Sequence, residues 1–226
     1  MKAKKSLGQN FLKSSLALKK IVEAGKVLPN DTVLEIGPGK GALTEKLLET
    51  GCRVIAIEKD RELFEFLKIK FREQINTGSL VLVHGDILKL RISDYKLKNY
   101  KIIANIPYNI TGAILKKFLT EKTQPECMVL MVQHEVAKRI VAQGGKESIL
   151  SISVKAYGEP KLIMKVGARY FSPAPKVDSA VIAINKISRK MFEENKINEE
   201  KFWEIVRAGF AHKRKKLSSN LKNLWQ

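Results

Sequence analysis

Short, nearly continuous apolar runs recur along the first 185 residues, each closed by glycine or polar residues. "TVLEI" (32–36), "RVIAIE" (53–58), "LVLVHGD" (80–86), "KIIAN" (101–105) and "CMVLMVQ" (127–133) have the length of strands and little alternation, the pattern of strands covered on both faces. Between them the period changes. "ALTEKLLET" brings Leu43, Leu47 and Leu48 to one side of a helix, and "DRELFEFLKIKFREQI" predicts a single helix with Asp60 as its N-cap. Further helices are predicted at about 111–120 and 134–143. "PKLIMKV" (160–166) and "VDSAVIAIN" (177–185) lie only about ten residues apart, too close for a helical crossover, so they are expected to pair antiparallel. The pattern predicts an α/β fold: a doubly wound, mostly parallel sheet with an antiparallel last strand pair.

After Asn185 the chain turns charged and helical in period, with Phe202, Ile205, Val206 and Phe210 on one face. Residues 186–226 are read as a short helical C-terminal appendage, truncated or minimal, attached to a main domain of residues 1–185. A length of 226 residues suits one sizeable core plus such an appendage. No apolar run approaches the ~18–20 residues that span a bilayer, and the N-terminus lacks the apolar stretch of a secretory signal. Cys52 and Cys127 stand far apart, without CxxC or Cys/His ligand spacing. The expectation is therefore reduced thiols, no metal and a cytoplasmic, monomeric protein.

Charge adds a partner. The net charge is +19, and residues 1–20 and 207–226 each carry six Lys or Arg with no Asp or Glu. Two acid-free basic ends favour a polyanion over a membrane surface or mere solubility, and nucleic acid is the expected partner. Charge alone does not separate DNA from RNA.

The candidate chemistry lies at the strand ends. "EIGPGKGAL" sets Gly37, Gly39 and Gly41 in the turn from the first strand to the first helix, where a missing Cβ lets backbone approach a ligand. The string also satisfies G-x-G-x-x-G/A, so a dinucleotide site competes with other nucleosides. Glu58, at the end of the second strand, suits two ribose hydroxyls in either case. Asp86 closes the third strand, where its carboxylate suits an adenine amino group. A nicotinamide enzyme would also need a hydride-handling group, and none stands in a convincing setting. S-adenosylmethionine fits better.

The fourth strand ends in "NIPYN". The lone pair of an amine on an aromatic base is delocalised into the ring, so the amine is a poor nucleophile. The Asn105 amide oxygen and a backbone carbonyl of Ile106 or Pro107 can accept its two N–H bonds and favour a pyramidal nitrogen. Pro107 holds the turn through its fixed φ, and the Tyr108 ring can stack on a flipped-out base. A sulfonium methyl is already activated, so positioning and electrostatics carry such a transfer.

With these residues in order, the chain closely resembles the ribosomal RNA adenine N6-dimethyltransferases. The resemblance runs through "KSLGQNFL" (5–12), "EIGPGKGALT" (35–44), "AIEKD" (56–60), "HGDIL" (84–88), "ANIPYNIT" (104–111), "MVQHEVAKRI" (131–140), "YFSPAPKVDSAV" (170–181) and "FAHKRKKLSSNL" (210–221). It implies a Rossmann-like methyltransferase sheet that binds S-adenosyl-L-methionine. Asn10 and Leu12, in a basic N-terminal segment (1–30), close over the cofactor. Gly37 and Gly39 meet its methionine end, Glu58 its ribose, and Asp86 with Ile87 its adenine. Asn105, Pro107 and Tyr108 form the target corner, Phe171 faces the target adenine opposite Tyr108, and Lys213, Arg214, Lys215 and Lys216 dock RNA.

"SPAPKVDSAV", "QHEVAKRI" and "KRKKLSSNL" resemble the housekeeping branch, which dimethylates two adjacent adenines in the 3′-terminal hairpin of small-subunit (16S-type) rRNA during ribosome maturation. "NIPYNIT" sits nearer the branch that modifies large-subunit rRNA and confers antibiotic resistance. Two alternatives from other classes stay open: a non-catalytic RNA- or DNA-binding factor on the same fold, and an amino-methylating enzyme acting on DNA or on protein glutamine. The latter enzymes usually carry a second proline where this chain has Ile106.

Overall fold

The apolar runs do form the strands of one sheet. The computed structural model describes residues 3–95, 97–212 and 214–224. In chain order its strands are β1 (Phe11–Leu12), β2 (Thr32–Ile36), β3 (Arg53–Glu58), β4 (Leu80–His84), β5 (Lys101–Asn105), β6 (Cys127–Gln133), β7 (Glu159–Val166), β8 (Phe171–Ser172) and β9 (Ser179–Asn185). Seven of them make a sheet in the order β4-β3-β2-β5-β6-β9-β7, while β1 and β8 form a separate two-stranded ribbon. β2 through β6 pair in parallel, and β9 runs antiparallel to both β6 and β7. The short connection between the last two strands therefore makes the predicted antiparallel pair.

The helices are α1 (Ser15–Ala24), α2 (Ala42–Leu48), α3 (Arg61–Lys70), α4 (Arg72–Thr77), α5 (Thr111–Thr120), α6 (His134–Val141), α7 (Ile149–Lys155), α8 (Lys190–Glu194), α9 (Glu199–Gly209) and α10 (Leu217–Leu221). The strand period of two deals side chains to opposite faces. Met128, Leu130 and Val132 of β6 join one apolar cluster with Ile114 and Phe118 of α5. Val129 and Met131 join the other, with Ile21 of α1, Leu47 of α2 and Leu67 of α3. Helices on both faces explain why the strands lack alternation.

One local reading changes. The expected single helix after Asp60 is interrupted at Phe71, whose backbone leaves the helical region (φ −109°, ψ 30°) while its ring is buried. Residues 1–30, read as a basic segment that closes over the cofactor, include α1. Ser14 caps α1, accepting from the Ala17 N–H at 3.2 Å, and Ala17, Leu18 and Ile21 of that helix are core.

The last 41 residues are tied to the main domain through aromatic packing. Trp203 of α9 stacks on Tyr157 at 6.2 Å between ring centroids, and its indole N–H donates to the Tyr157 hydroxyl at 3.2 Å. The Tyr157 hydroxyl donates in turn to Glu199, which also pairs with Arg189. Ile187 and Phe192 lie in the same apolar cluster as β5 and β6. No helix of the described residues is long and apolar enough to cross a membrane.

Candidate active site

The carboxyl ends of β2, β3 and β5 open onto one cleft of about 560 Å³, bordered after β4 by the turn Gly85–Leu88. Open α/β sheets bind ligands at this edge. Asn10, Leu12, Gly37, Gly39, Glu58, Asp86, Ile87, Asn105, Pro107 and Tyr108, far apart in sequence, all line it.

The three glycines do different work from one another. All have positive φ (67°, 61° and 80°), the left-handed region that favours glycine. A Cβ at Gly37 would meet no protein atom within 4 Å, so the space before it belongs to the cleft. A Cβ at Gly39 would press on the Phe11 ring at 3.0 Å, and one at Gly41 on the Phe71 ring at 2.5 Å. Gly37 leaves open space on the cleft side, and Gly39 lines the cleft while seating the Phe11 ring; the expectation that Gly41 makes room for a ligand is corrected, because it seats a core aromatic ring outside the cleft lining.

Glu58 is buried and braces this turn. One carboxylate oxygen accepts from the Gly39 N–H at 3.1 Å and the other from the Asp60 N–H at 2.8 Å. Burial pushes its carboxyl above the usual range, against the pull of those N–H groups. Asp86 is also partly committed, accepting from the Leu88 N–H at 3.0 Å and pairing with Lys59 at 2.9 Å. Burial pushes this carboxyl up, but Lys59 and the Leu88 N–H outweigh it and hold it below the usual range. Each oxygen of both acids keeps a further lone pair for a ligand.

At the end of β5 the Asn105 amide N–H donates to the Asn10 carbonyl at 3.2 Å. That bond fixes which way the amide points and leaves its oxygen as the free acceptor. Beyond it, the Ile110 N–H donates to the Pro107 carbonyl at 3.3 Å. The Ile106 carbonyl accepts no such bond among the described residues, so of the two candidate second acceptors it is the available one. The Tyr108 hydroxyl meets Ser179 Oγ at 2.5 Å. Burial pushes this phenol up despite Ser179, so the ring stays neutral.

Phe171 is the exception. Its side chain is 3% exposed and belongs to the core with Leu12, Val166 and Val181. Adjacent strand residues point to opposite faces, and in β8 it is Ser172 that reaches the cleft. The expected ring facing a target base opposite Tyr108 is therefore corrected to a ring beneath the site. Arg214, Lys215 and Lys216 are exposed between α9 and α10; Lys213 lies outside the described residues.

Several residues at the site were not anticipated. Phe11 lies against Gly39 with Lys40 Nζ 5.1 Å from its ring centre. Asp60, expected only as a cap, also accepts from Lys4 Nζ and from the Gln9 amide, both at 2.8 Å. Glu35 lines the cleft and takes a 2.7 Å hydrogen bond from the Thr44 hydroxyl. A charged residue inside "TVLEI" was the sequence signal for it.

Burial, countered by Thr44 and reinforced by the Glu58 charge, pushes the Glu35 carboxyl up from 4.5 to about 8. A raised acid stabilises the fold below its unfolded pKa, and that contribution is lost as pH climbs through the folded value. Glu35→Gln keeps an acceptor for Thr44 without the ionisation. Its melting temperature should gain on the wild type as pH rises from about 4.5, levelling off above about 8; a difference independent of pH would refute the assignment.

A family described as Ribosomal RNA adenine dimethylase matches residues 1–226. The chain belongs to that family. It is 44% identical over 223 residues to a Ribosomal RNA small subunit methyltransferase A from Dehalococcoides mccartyi, covering 98% of this chain and 75% of the relative. Among solved structures, a dimethyladenosine transferase from Plasmodium falciparum superposes with a TM-score of 0.79 at 32% identity, covering 94% of this dimethylase and 74% of that chain. The 23S rRNA methyltransferase ErmE superposes with a TM-score of 0.81 at 28% identity, covering 95% and 84%. The dimethylase uses S-adenosylmethionine, and the cleft fits that cofactor: open space before Gly37, free lone pairs on Glu58 and Asp86, and the buried apolar side chain of Ile87.

Proposed function

We propose that the chain dimethylates N6 of two adjacent adenines in the 3′-terminal hairpin of small-subunit rRNA. The observation that carries the chemistry is the orientation of Asn105, whose nitrogen is engaged by Asn10 and whose oxygen is left to accept from an amine. S-adenosylmethionine supplies a methyl group activated on a sulfonium. Glu58 holds its ribose, and Asp86 with Ile87 its adenine; Asn10 and Leu12 cover it. Asn105 Oδ1 and the Ile106 carbonyl accept the two N–H bonds of the target amine, Pro107 keeps that carbonyl in place, and Tyr108 stacks on the base. Pre-aimed acceptors of this kind need no strong base. Residues 1–185 carry this chemistry and 186–226 dock RNA.

Small-subunit rRNA is favoured over the large subunit by the 44% identity to a small-subunit methyltransferase, against 28% to the 23S enzyme. Labelled cofactor offered with undermethylated small subunits, large subunits and naked rRNA decides it. Label is expected on adjacent adenines of the small subunit; label confined to the large subunit would overturn the reading.

The basic tail is tested in the same assay. Neutralising Lys213, Arg214, Lys215 and Lys216 together should weaken subunit binding and flatten its salt dependence. The slope should fall by roughly 0.7–0.9 for each phosphate no longer neutralised, because fewer counterions are released. Cofactor affinity should not move. A quadruple variant with the wild-type salt slope would place RNA docking elsewhere.

A further inference from the structure

Beside the main cleft a second cavity of about 470 Å³ opens at the carboxyl ends of β5 and β6, between the N-terminal segment and Tyr108. It shares Ser6, Gly8, Asn10, Tyr108 and Asn109 with the first cavity and adds Lys5 and Gln133. Its volume lies within the ~300–1,000 Å³ of small-molecule sites.

Four of the polar side chains that line it have no partner in the protein. Among the described residues, the exposed Lys5, Ser6 and Asn109 side chains and the half-buried Gln133 side chain make no hydrogen bond or ion pair, whereas the Asn10 and Tyr108 side chains of the same lining, and Lys4 and Asn105 nearby, are engaged. Gln133 is the most unusual of them. It is the last residue of β6 and stands at the N-cap of α6, where a short Ser, Thr, Asp or Asn normally bonds the first turn. Its side chain makes no such cap, and the first N–H of α6 is met instead by the Asp178 carbonyl at 2.9 Å. Its backbone is fixed by pairing with Ser179, whose hydroxyl holds Tyr108. A long amide on a rigid strand end, not used as a cap, is thus aimed beside the ring that stacks the base.

We infer that this second cavity receives the target adenosine and that Gln133 is the residue that reads its base. The inference rests on the reading of the cleft as an adenine-methylating site. Asn105 and Ile106 occupy the two hydrogens of N6, which leaves the ring nitrogens flanking it, N1 and N7, as acceptors. The Gln133 amide N–H donates to one of them, the ring-nitrogen half of the two-point contact by which glutamine recognises adenine. Lys5 supplies the positive charge that the adjoining phosphodiester needs. A base without that acceptor strands the amide without a partner, and this is what rejects it.

The test combines a residue change with an atom change. Small subunits carrying 1-deazaadenine or 7-deazaadenine at the methylated position are compared with unmodified ones, using wild type and Gln133→Leu. For wild type, kcat/KM should fall roughly tenfold for at least one of the two analogues. Gln133→Leu should lose a similar factor on adenine and show no further loss on that analogue. Its cofactor affinity and melting temperature should match wild type, which separates lost reading from lost fold. If wild type tolerates both analogues, or if the loss persists undiminished in Gln133→Leu, the inference is overturned. If wild type transfers no methyl group even to unmodified small subunits, the functional reading itself fails and takes this inference with it.

Discussion

Asn105→Ala is expected to slow methyl transfer by about 10²–10³-fold, the scale of losing one pre-aimed group that acts on developing charge. Cofactor affinity should stay within a few-fold, because Glu58 and Asp86 remain. The Asn105 nitrogen is held by the Asn10 carbonyl at 3.2 Å, so the oxygen cannot rotate away without breaking that bond. Asn105→Asp makes an informative companion, because it keeps the acceptor but turns the meeting with Asn10 into a clash of two oxygens. Single-turnover rates with saturating cofactor, alongside equilibrium cofactor binding, check both variants. A fully active alanine variant would eliminate the amine-corner mechanism.

Glu58→Ala should weaken cofactor binding by about 1.5–3 kcal/mol, the worth of hydrogen bonds to a charged group. The carboxylate has a second job, however. It satisfies the N–H groups of Gly39 and Asp60, so its removal also loosens the glycine turn. Glu58→Gln grades the two roles, since it keeps the bulk and one acceptor oxygen but sets an amide NH2 against one of the two N–H groups. Calorimetric titration of both variants, with melting curves run in the absence of cofactor, distinguishes a missing ribose hydrogen bond from a slackened turn. Unchanged affinity in Glu58→Ala would remove this residue from the site.

The sheet was legible because burial on both faces leaves a simple trace: "KIIAN" and "CMVLMVQ" have no room for polar alternation. The polar residues that close those runs marked the cleft for the same reason, since strand ends are where the continuous apolar pattern stops. What depended on pairing across the chain was not legible. Whether Phe171 or Ser172 faces the cleft is set by the register of β8 against β1, where Leu12 lies opposite Phe171. A one-residue shift would reverse it. The break at Phe71 follows from a ring seated against Gly41, far earlier in the sequence. Gln133 reads locally as a strand end, and only the cavity beside Tyr108 gives it another meaning.

The tie between the N-terminal segment and Asp60 bears on the order of events. Lys4 and Gln9 fasten the segment to Asp60, the Asn10 carbonyl accepts from the Asn105 amide, and β1 pairs with β8 over two residues. The Lys4 side chain is 39% exposed but that of Asp60 only 2%, so salt screens this pair only in part. The same strip of chain borders both cavities, through Ser6, Gly8 and Asn10. Two methyl groups on one amine require two molecules of cofactor in succession. Any movement of that strip during cofactor exchange therefore also moves the wall that Ser6, Gly8 and Asn10 give the second cavity.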